Sequence, residues 1–147
     1  ARATRPGKPI RYVVNTHTHF DHAGGLRAFV AEGATIVTHE MNRSYYEAVW
    51  QRPHTLVPDL LAKRPRAPVW ETFADRKVLS DGTRSLELHK LVGNGHHPYI
   101  AVGYLPRERL LLYGDMYNPP GGDDPRDPGR TNEYASGLYD DVTTRLR

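Results

Sequence analysis

The 147-residue sequence predicts an α/β (α+β) fold with the order βαβα, then a β-meander, then a last helix. Three observations carry that prediction. Two β-rich runs in the first part of the chain are each followed by an apolar stripe of helical period. The middle of the chain holds four more β-rich runs joined by short polar turns. The final segment returns to a helical stripe. A chain of this length is about the mode for a single domain, so residues 1–147 read as one.

Residues 1–9 carry Pro6, Gly7 and Pro9 and read as a loose lead-in. Ile10 to Thr16, with Tyr12, Val13 and Val14, reads as a buried strand. A loop follows through Gly24-Gly25. Leu26, Phe29 and Val30 fall at i, i+3, i+4, and Gly33 supplies a C-cap, which predicts a helix over 25–32. Thr35 to Thr38 predicts a second strand. Met41, Tyr45, Ala48 and Val49 form an i, i+4, i+7, i+8 stripe and predict a helix over 41–51. Pro53, Pro58, Pro65 and Pro68 break the next stretch into turns, with one helical turn around Leu60-Leu61. Lys77 to Leu79 and Leu86 to Val92 flank Ser80-Asp81-Gly82-Thr83 and predict a hairpin. Ile100 to Leu105 and Leu110 to Tyr113 predict two further strands. Residues 117–130 hold four Pro and three Gly and predict a long loop. Asn132 caps a last helix whose stripe is Tyr134, Leu138, Val142 and Leu146.

Composition excludes several classes. The absence of Cys removes disulfides, thiolate metal sites and a Cys nucleophile together. It leaves the compartment open, since a Cys-free chain suits cytoplasm and periplasm alike. No apolar run approaches the ~18 residues of a membrane span. Hydrophobic residues at 38% are too many for a disordered chain. The net charge is +3 and the pI about 9.3, but the Arg residues are scattered singly. No basic cluster interleaves with aromatics, which argues against a nucleic-acid surface and for a small-molecule substrate.

The chemistry concentrates in Thr16-His17-Thr18-His19-Phe20-Asp21-His22, of the form His-x-His-x-Asp-His. With eight His and ten Asp in the chain, chance placement of this pattern is on the order of one in several hundred. At a strand end, residues two apart point the same way, so His17 and His19 can converge on one metal. Asp21 and His22, where the chain turns, can reach a second metal. Neutral imidazoles and carboxylates suit Zn²⁺, and also Fe or Mn.

These residues resemble the signature of the metallo-β-lactamase superfamily of metallohydrolases, and Gly24-Gly25 match the glycines that usually follow it. Gly95-His96-His97-Pro98 resembles the family's Gly-His-Thr-Pro element. Gly114-Asp115 resembles its Gly-Asp element. The resemblance implies the central-to-C-terminal part of an αββα sandwich. It implies a first metal site of His17, His19 and His96, and a second of Asp21 and His22, with Asp115 bridging. The ligand falls to His96 rather than His97 because the family histidine follows the glycine directly.

The function implied is a metal-dependent hydrolase. Two zinc-type ions ~3.5–4 Å apart would lower the pKa of a water to about 7, giving a hydroxide that attacks an ester, thioester, lactone or similar bond. Asp115 would hold the ion spacing, and Asp21 would also orient the hydroxide. The family adds one more His to the second site, yet none follows His97, and only 16 residues precede His17. The resemblance therefore implies a piece of a longer protein, weak at the second site. True β-lactamases generally lack the bridging Asp, so Asp115 argues against that activity. The run Gly114 to Pro120 also departs from glyoxalase II enzymes. Two alternatives stand beside the hydrolase: a mononuclear iron persulfide dioxygenase, and a catalytically incomplete metal-binding fragment.

The remaining histidines read more plainly. His39 packs at a strand end or supports the ligands from behind, while His54 and His89 read as surface residues. Tyr45-Tyr46, Tyr113, Tyr117, Tyr134 and Tyr139 read as core.

Overall fold

Backbone pairing sorts the strands into two sheets that divide along the chain. The computed structural model describes residues 3–117 and 133–146. Ala1–Phe73 and Ala74–Arg147 form two compact units.

The first unit contains β1 (Tyr12–Val14), α1 (Phe20–Ala23), α2 (Leu26–Ala31), β2 (Thr35–His39), α3 (Glu40–Trp50), α4 (Leu60–Lys63) and β3 (Val69–Phe73). The strands lie in the order β1-β2-β3 and are parallel throughout. Parallel neighbours need a crossover, and the two helix pairs supply it. All three strands therefore finish at one edge of the sheet, where open α/β sheets carry their ligands. The histidine loop leaves β1 at that edge, and β2 ends there at His39.

The strand read over 10–16 is shorter than expected, and Tyr12 is about half exposed. Asn15 still extends the ladder, its N–H donating to Val37 O at 2.9 Å. β3 was not foreseen. It starts directly after Pro68, and Glu71 interrupts its apolar character. The helices over 25–32, 41–51 and around Leu60-Leu61 form close to the expected bounds.

The face of α3 differs from expectation. Met41 and Tyr45 are about half exposed, and the buried residues are Asn42 and Tyr46. The core holds Leu26, Val30, Ile36, Tyr46 and Leu61, with Val13, Trp50 and Trp70 packed against it. Tyr46, Trp50 and Trp70 form one aromatic stack. Trp50 and Trp70 have ring centroids 5.3 Å apart at 18°, and Tyr46 lies 5.3 Å from Trp50. Gly33 ends α2 with φ +88°, a backbone conformation that strains any other residue type.

The second unit is the meander β4 (Arg76–Ser80), β5 (Ser85–Lys90), β6 (Ala101–Leu105) and β7 (Leu110–Leu112), followed by α5 (Glu133–Arg145). The expected hairpin forms between β4 and β5. Asp81 Oδ1 closes its turn by accepting from the N–H groups of Thr83 and Arg84, each at 2.8 Å. Those bonds hold the exposed Asp81 carboxyl down at about 2. The stripe of α5 is as expected: Leu138, Tyr134, Val142 and Leu146 pack with Leu91, Ile100, Val102 and Met116. The loop expected over 117–130, beyond Tyr117, and the Asn132 cap lie outside the described residues. No described helix is long and apolar enough to cross a membrane.

Candidate metal centre

Each unit gathers part of the expected ligand set. In the first, β1 ends and the chain turns through the one-turn helix α1, closed by Ala23 N–H on His19 O at 3.0 Å. This turn folds His17, His19 and His22 against one another. The His17 ring lies 4.6 Å from that of His19 and 4.5 Å from that of His22. Asp21 Oδ2 lies 3.4 Å from His22 Nε2. His17 is fully buried, whereas Asp21 is exposed. Three imidazoles and a carboxylate packed this closely suit a divalent cation.

Thr16 Oγ1 lies 3.0 Å from His17 Nδ1 and fixes the ring's orientation. Behind the loop sits a buried polar network. Asn15 Nδ2 donates to His17 O at 2.8 Å and to His22 O at 3.4 Å. Asn15 Oδ1 accepts from Thr38 Oγ1 at 3.1 Å and from the Tyr46 hydroxyl at 2.7 Å. That hydroxyl also lies 3.0 Å from His17 O, and Asn42 Nδ2 donates to Thr38 Oγ1 at 3.1 Å. Burial pushes the Tyr46 phenol well above its ordinary range, so it remains a donor. One amide thus ties both ends of the His17–His22 loop to β2 and α3. This network explains the unexpected polar face of α3. The sequence offered no periodic signal for it, because its members lie up to 31 residues apart.

In the second unit, Asn94 Oδ1 accepts from the N–H groups of His96 and His97 at 3.2 and 3.1 Å and shapes the loop before β6. His96 Nε2 lies 3.2 Å from Asp115 Oδ2, and the His96 ring packs edge-on against Tyr134 at 5.2 Å. His97 Nδ1 instead accepts from Tyr99 N–H at 3.1 Å. Asp115 follows β7 with φ +62°, a left-handed conformation that only Asn, Asp and Gly adopt readily. Strained residues of this kind cluster at functional sites.

The other expectations divide. His39 is buried, its Nδ1 accepts from Met41 N–H at 3.1 Å as the cap of α3, and its ring packs on Phe73. His54 is exposed. His89 is buried rather than superficial. It pairs with Glu87 at 3.0 Å, and Arg76 holds the other Glu87 oxygen at 2.9 Å. Arg76 first, then His89, lower the Glu87 carboxyl. Of the tyrosines, Tyr46 is core, Tyr134 is partly buried, and Tyr45, Tyr113, Tyr117 and Tyr139 are exposed. Tyr45 and Tyr139 lie on helices and Tyr113 and Tyr117 in the segment after β7, where an amphipathic ring can stay wet.

The family profile "Metallo-beta-lactamase superfamily" matches residues 1–145. A curated relative, the metallo-beta-lactamase type 2 of Elizabethkingia meningoseptica, is 27% identical over 110 residues, covering 75% of this chain and 38% of the relative. Among solved structures, a metallo-beta-lactamase from Pontibacter korlensis matches with TM-score 0.64 and 21% identity, covering 99% of this chain and 61% of that one. The rubredoxin oxygen:oxidoreductase of Desulfovibrio gigas matches with TM-score 0.59 and 20% identity, covering 80% and 27%. The flavodiiron protein of Giardia intestinalis matches with TM-score 0.54 and 22% identity, covering 81% and 25%. The chain thus spans less than two thirds of the length of each of these proteins.

Proposed function

Because the chain belongs to the metallo-beta-lactamase superfamily, whose members are typically metal-dependent hydrolases, we propose that it carries the ligand set of a dinuclear metallohydrolase. One ion would take His17, His19 and His96; the other would take Asp21 and His22, with Asp115 shared. The observation that carries this reading is the close-packed His17–His19–His22 cluster, with His17 fully buried, at the carboxyl end of a parallel strand. Its donor chemistry fits borderline divalent cations. The strained Asp115 and its contact with His96 support the second half of the set.

When bound, such ions supply a water of near-neutral pKa and polarise the bond under attack. The chain's residues do the rest. Thr16 orients His17, Asn15 and Tyr46 hold the loop that carries the ligands, and Asp21 would orient the attacking water from beside His22. The substrate we propose is a small molecule with an ester, thioester or lactone bond. A single-iron dioxygenase reading shares this donor set, and a flavodiiron name among the structural neighbours points to iron in that protein. Zinc is the expected metal, with iron or manganese as alternatives.

Metal analysis of the purified chain decides both points. We expect bound zinc, reduced to background in the His17→Ala, His19→Ala double variant. Unchanged metal content in that variant would refute the assignment. About one iron per chain, with oxygen uptake on a persulfide, would replace the hydrolase by the dioxygenase. His96→Ala should lower metal content, while His97→Thr should leave it nearly intact, since the His97 ring is already turned to the Tyr99 amide.

A further inference from the structure

The first unit holds a cleft of about 590 Å³ that none of its proposed metal ligands lines. Arg27, Trp50, Arg52, His54 and Arg66 face it, with prolines between them. The charges do not cancel. Arg27 is committed to Asp59 through two bonds, one of them 3.1 Å long. Glu47, which also faces the cleft, is held by Arg43 Nε at 2.7 Å. Among the described residues no carboxylate partners Arg52 or Arg66, so two guanidiniums present uncompensated charge to a concave surface.

These groups are also pre-positioned. Arg66 lies over Gly33, where a Cβ would collide with its guanidinium. The glycine is thus both the αL terminator of α2 and the seat of this arginine. Pro53 and Pro65 adjoin Arg52 and Arg66 and fix their own φ, which lowers the entropy lost on binding. Trp50 forms a flat wall, itself braced by Trp70 in near-parallel stacking. Guanidiniums recognise planar or tetrahedral oxyanions by paired, charge-assisted hydrogen bonds. An indole face accepts a ring.

We propose that this cleft binds a small aryl oxyanion, with its phosphate or carboxylate on Arg52 and Arg66 and its ring against Trp50. The site is separate from the proposed metal centre and does not depend on that reading.

The chain's two tryptophans are Trp50 and Trp70, so intrinsic fluorescence reports occupancy directly. We expect phenyl phosphate or benzoate to quench it saturably in the millimolar range or below, and phenol at the same concentrations not to. Whichever of the two anions binds more tightly identifies the oxyanion preferred. Arg52→Gln and Arg66→Gln should each weaken binding about tenfold, the loss of one charge-assisted pair. Gly33→Ala should weaken it comparably by displacing Arg66. Added salt should weaken it further. Metal content and melting midpoint should stay unchanged in the arginine variants. Absence of saturable quenching would overturn the proposal. Affinity that survives loss of both arginines would place the ligand elsewhere, the metal centre included, and would overturn it equally.

Discussion

Asn15 is the residue on which the shape of the histidine loop rests, and its removal should be costly. Asn15→Ala deletes the 2.8 Å bond to His17 O, the 3.4 Å bond to His22 O, and the acceptor used by Thr38 and Tyr46. Three of these are of ordinary length, and each contributes about 1 kcal/mol net, so the loss is about 3 kcal/mol. Tyr46→Phe removes less. His17 O keeps Asn15 as donor, and Asn15 Oδ1 keeps Thr38, so that variant should lose about 1 kcal/mol. Asn15→Asp preserves shape and acceptor but turns a carboxylate toward two carbonyl oxygens in a buried site. It should cost at least as much as alanine. Against a domain stability of about 5–15 kcal/mol, these differences are readily resolved. Urea titration followed by tryptophan fluorescence suits the test, because Trp50 and Trp70 both pack beside Tyr46. The same variants should be assayed for bound zinc, where a loosened loop should lower affinity about 10–100-fold. A Tyr46→Phe loss equal to that of Asn15→Ala, or an Asn15→Ala loss below about 1 kcal/mol, would refute the reasoning.

Three further outcomes are expected. Asp115→Asn should keep its stability, since Asn tolerates φ +62°, yet lose metal; Asp115→Ala should lose metal and also about 1 kcal/mol of stability to backbone strain, a pair that thermal melts and metal analysis separate. Arg27 holds the Asp59 carboxyl at about 2, below its ordinary 3.8. Its stabilisation is therefore complete above pH ~4 and fades as pH falls toward ~2. Because the Asp59 side chain is still 32% exposed, the effect should be about 1 kcal/mol after screening, and Asp59→Asn should flatten that part of the stability profile. His89→Ala should destabilise more than His54→Ala in a thermal melt, because only His89 is buried and paired with Glu87.

The parts of this protein that were legible in sequence are those carried by a repeating spacing or a dense motif. The neighbouring rings of His17 and His19, the stripe of α5 and the Asp81-Gly82 hairpin each follow from a spacing visible in the sequence. The inverted face of α3 was not legible. Its core side carries Asn42, which only a tertiary partner could bring inside. Its partner Thr38 sits on β2, and Asn15, which joins Thr38 to Tyr46, lies 23 residues before Thr38, so no helical period announces the network. β3 was hidden by Pro68 before it and Glu71 within it, and it is stabilised by pairing with β2 along its full length. His89 looked superficial because its burial depends on Glu87, two residues earlier on the same strand face, and on Arg76 across the ladder. The expected ligands themselves were named from the motif and the family resemblance, while the side chains that hold them in place emerged only with the fold.

The two sheets also differ in how far along the chain a strand must look for its neighbour. In the meander, Ser80 faces Ser85, and the pairing then zips outward from a tight turn. A hairpin of this kind closes in about 1–10 μs. In the parallel sheet, Tyr12 pairs with Thr35 and Thr35 with Val69, so positions 23 and 34 apart in sequence must meet before any ladder bond forms. Non-local pairing of that sort is slow. On refolding, amide protection across β4 to β6 should therefore precede the burial of Trp50 and Trp70. The histidine loop, anchored to both β2 and α3, takes its shape only once the slower sheet is complete, so the ligands at the end of β1 become organised late in folding.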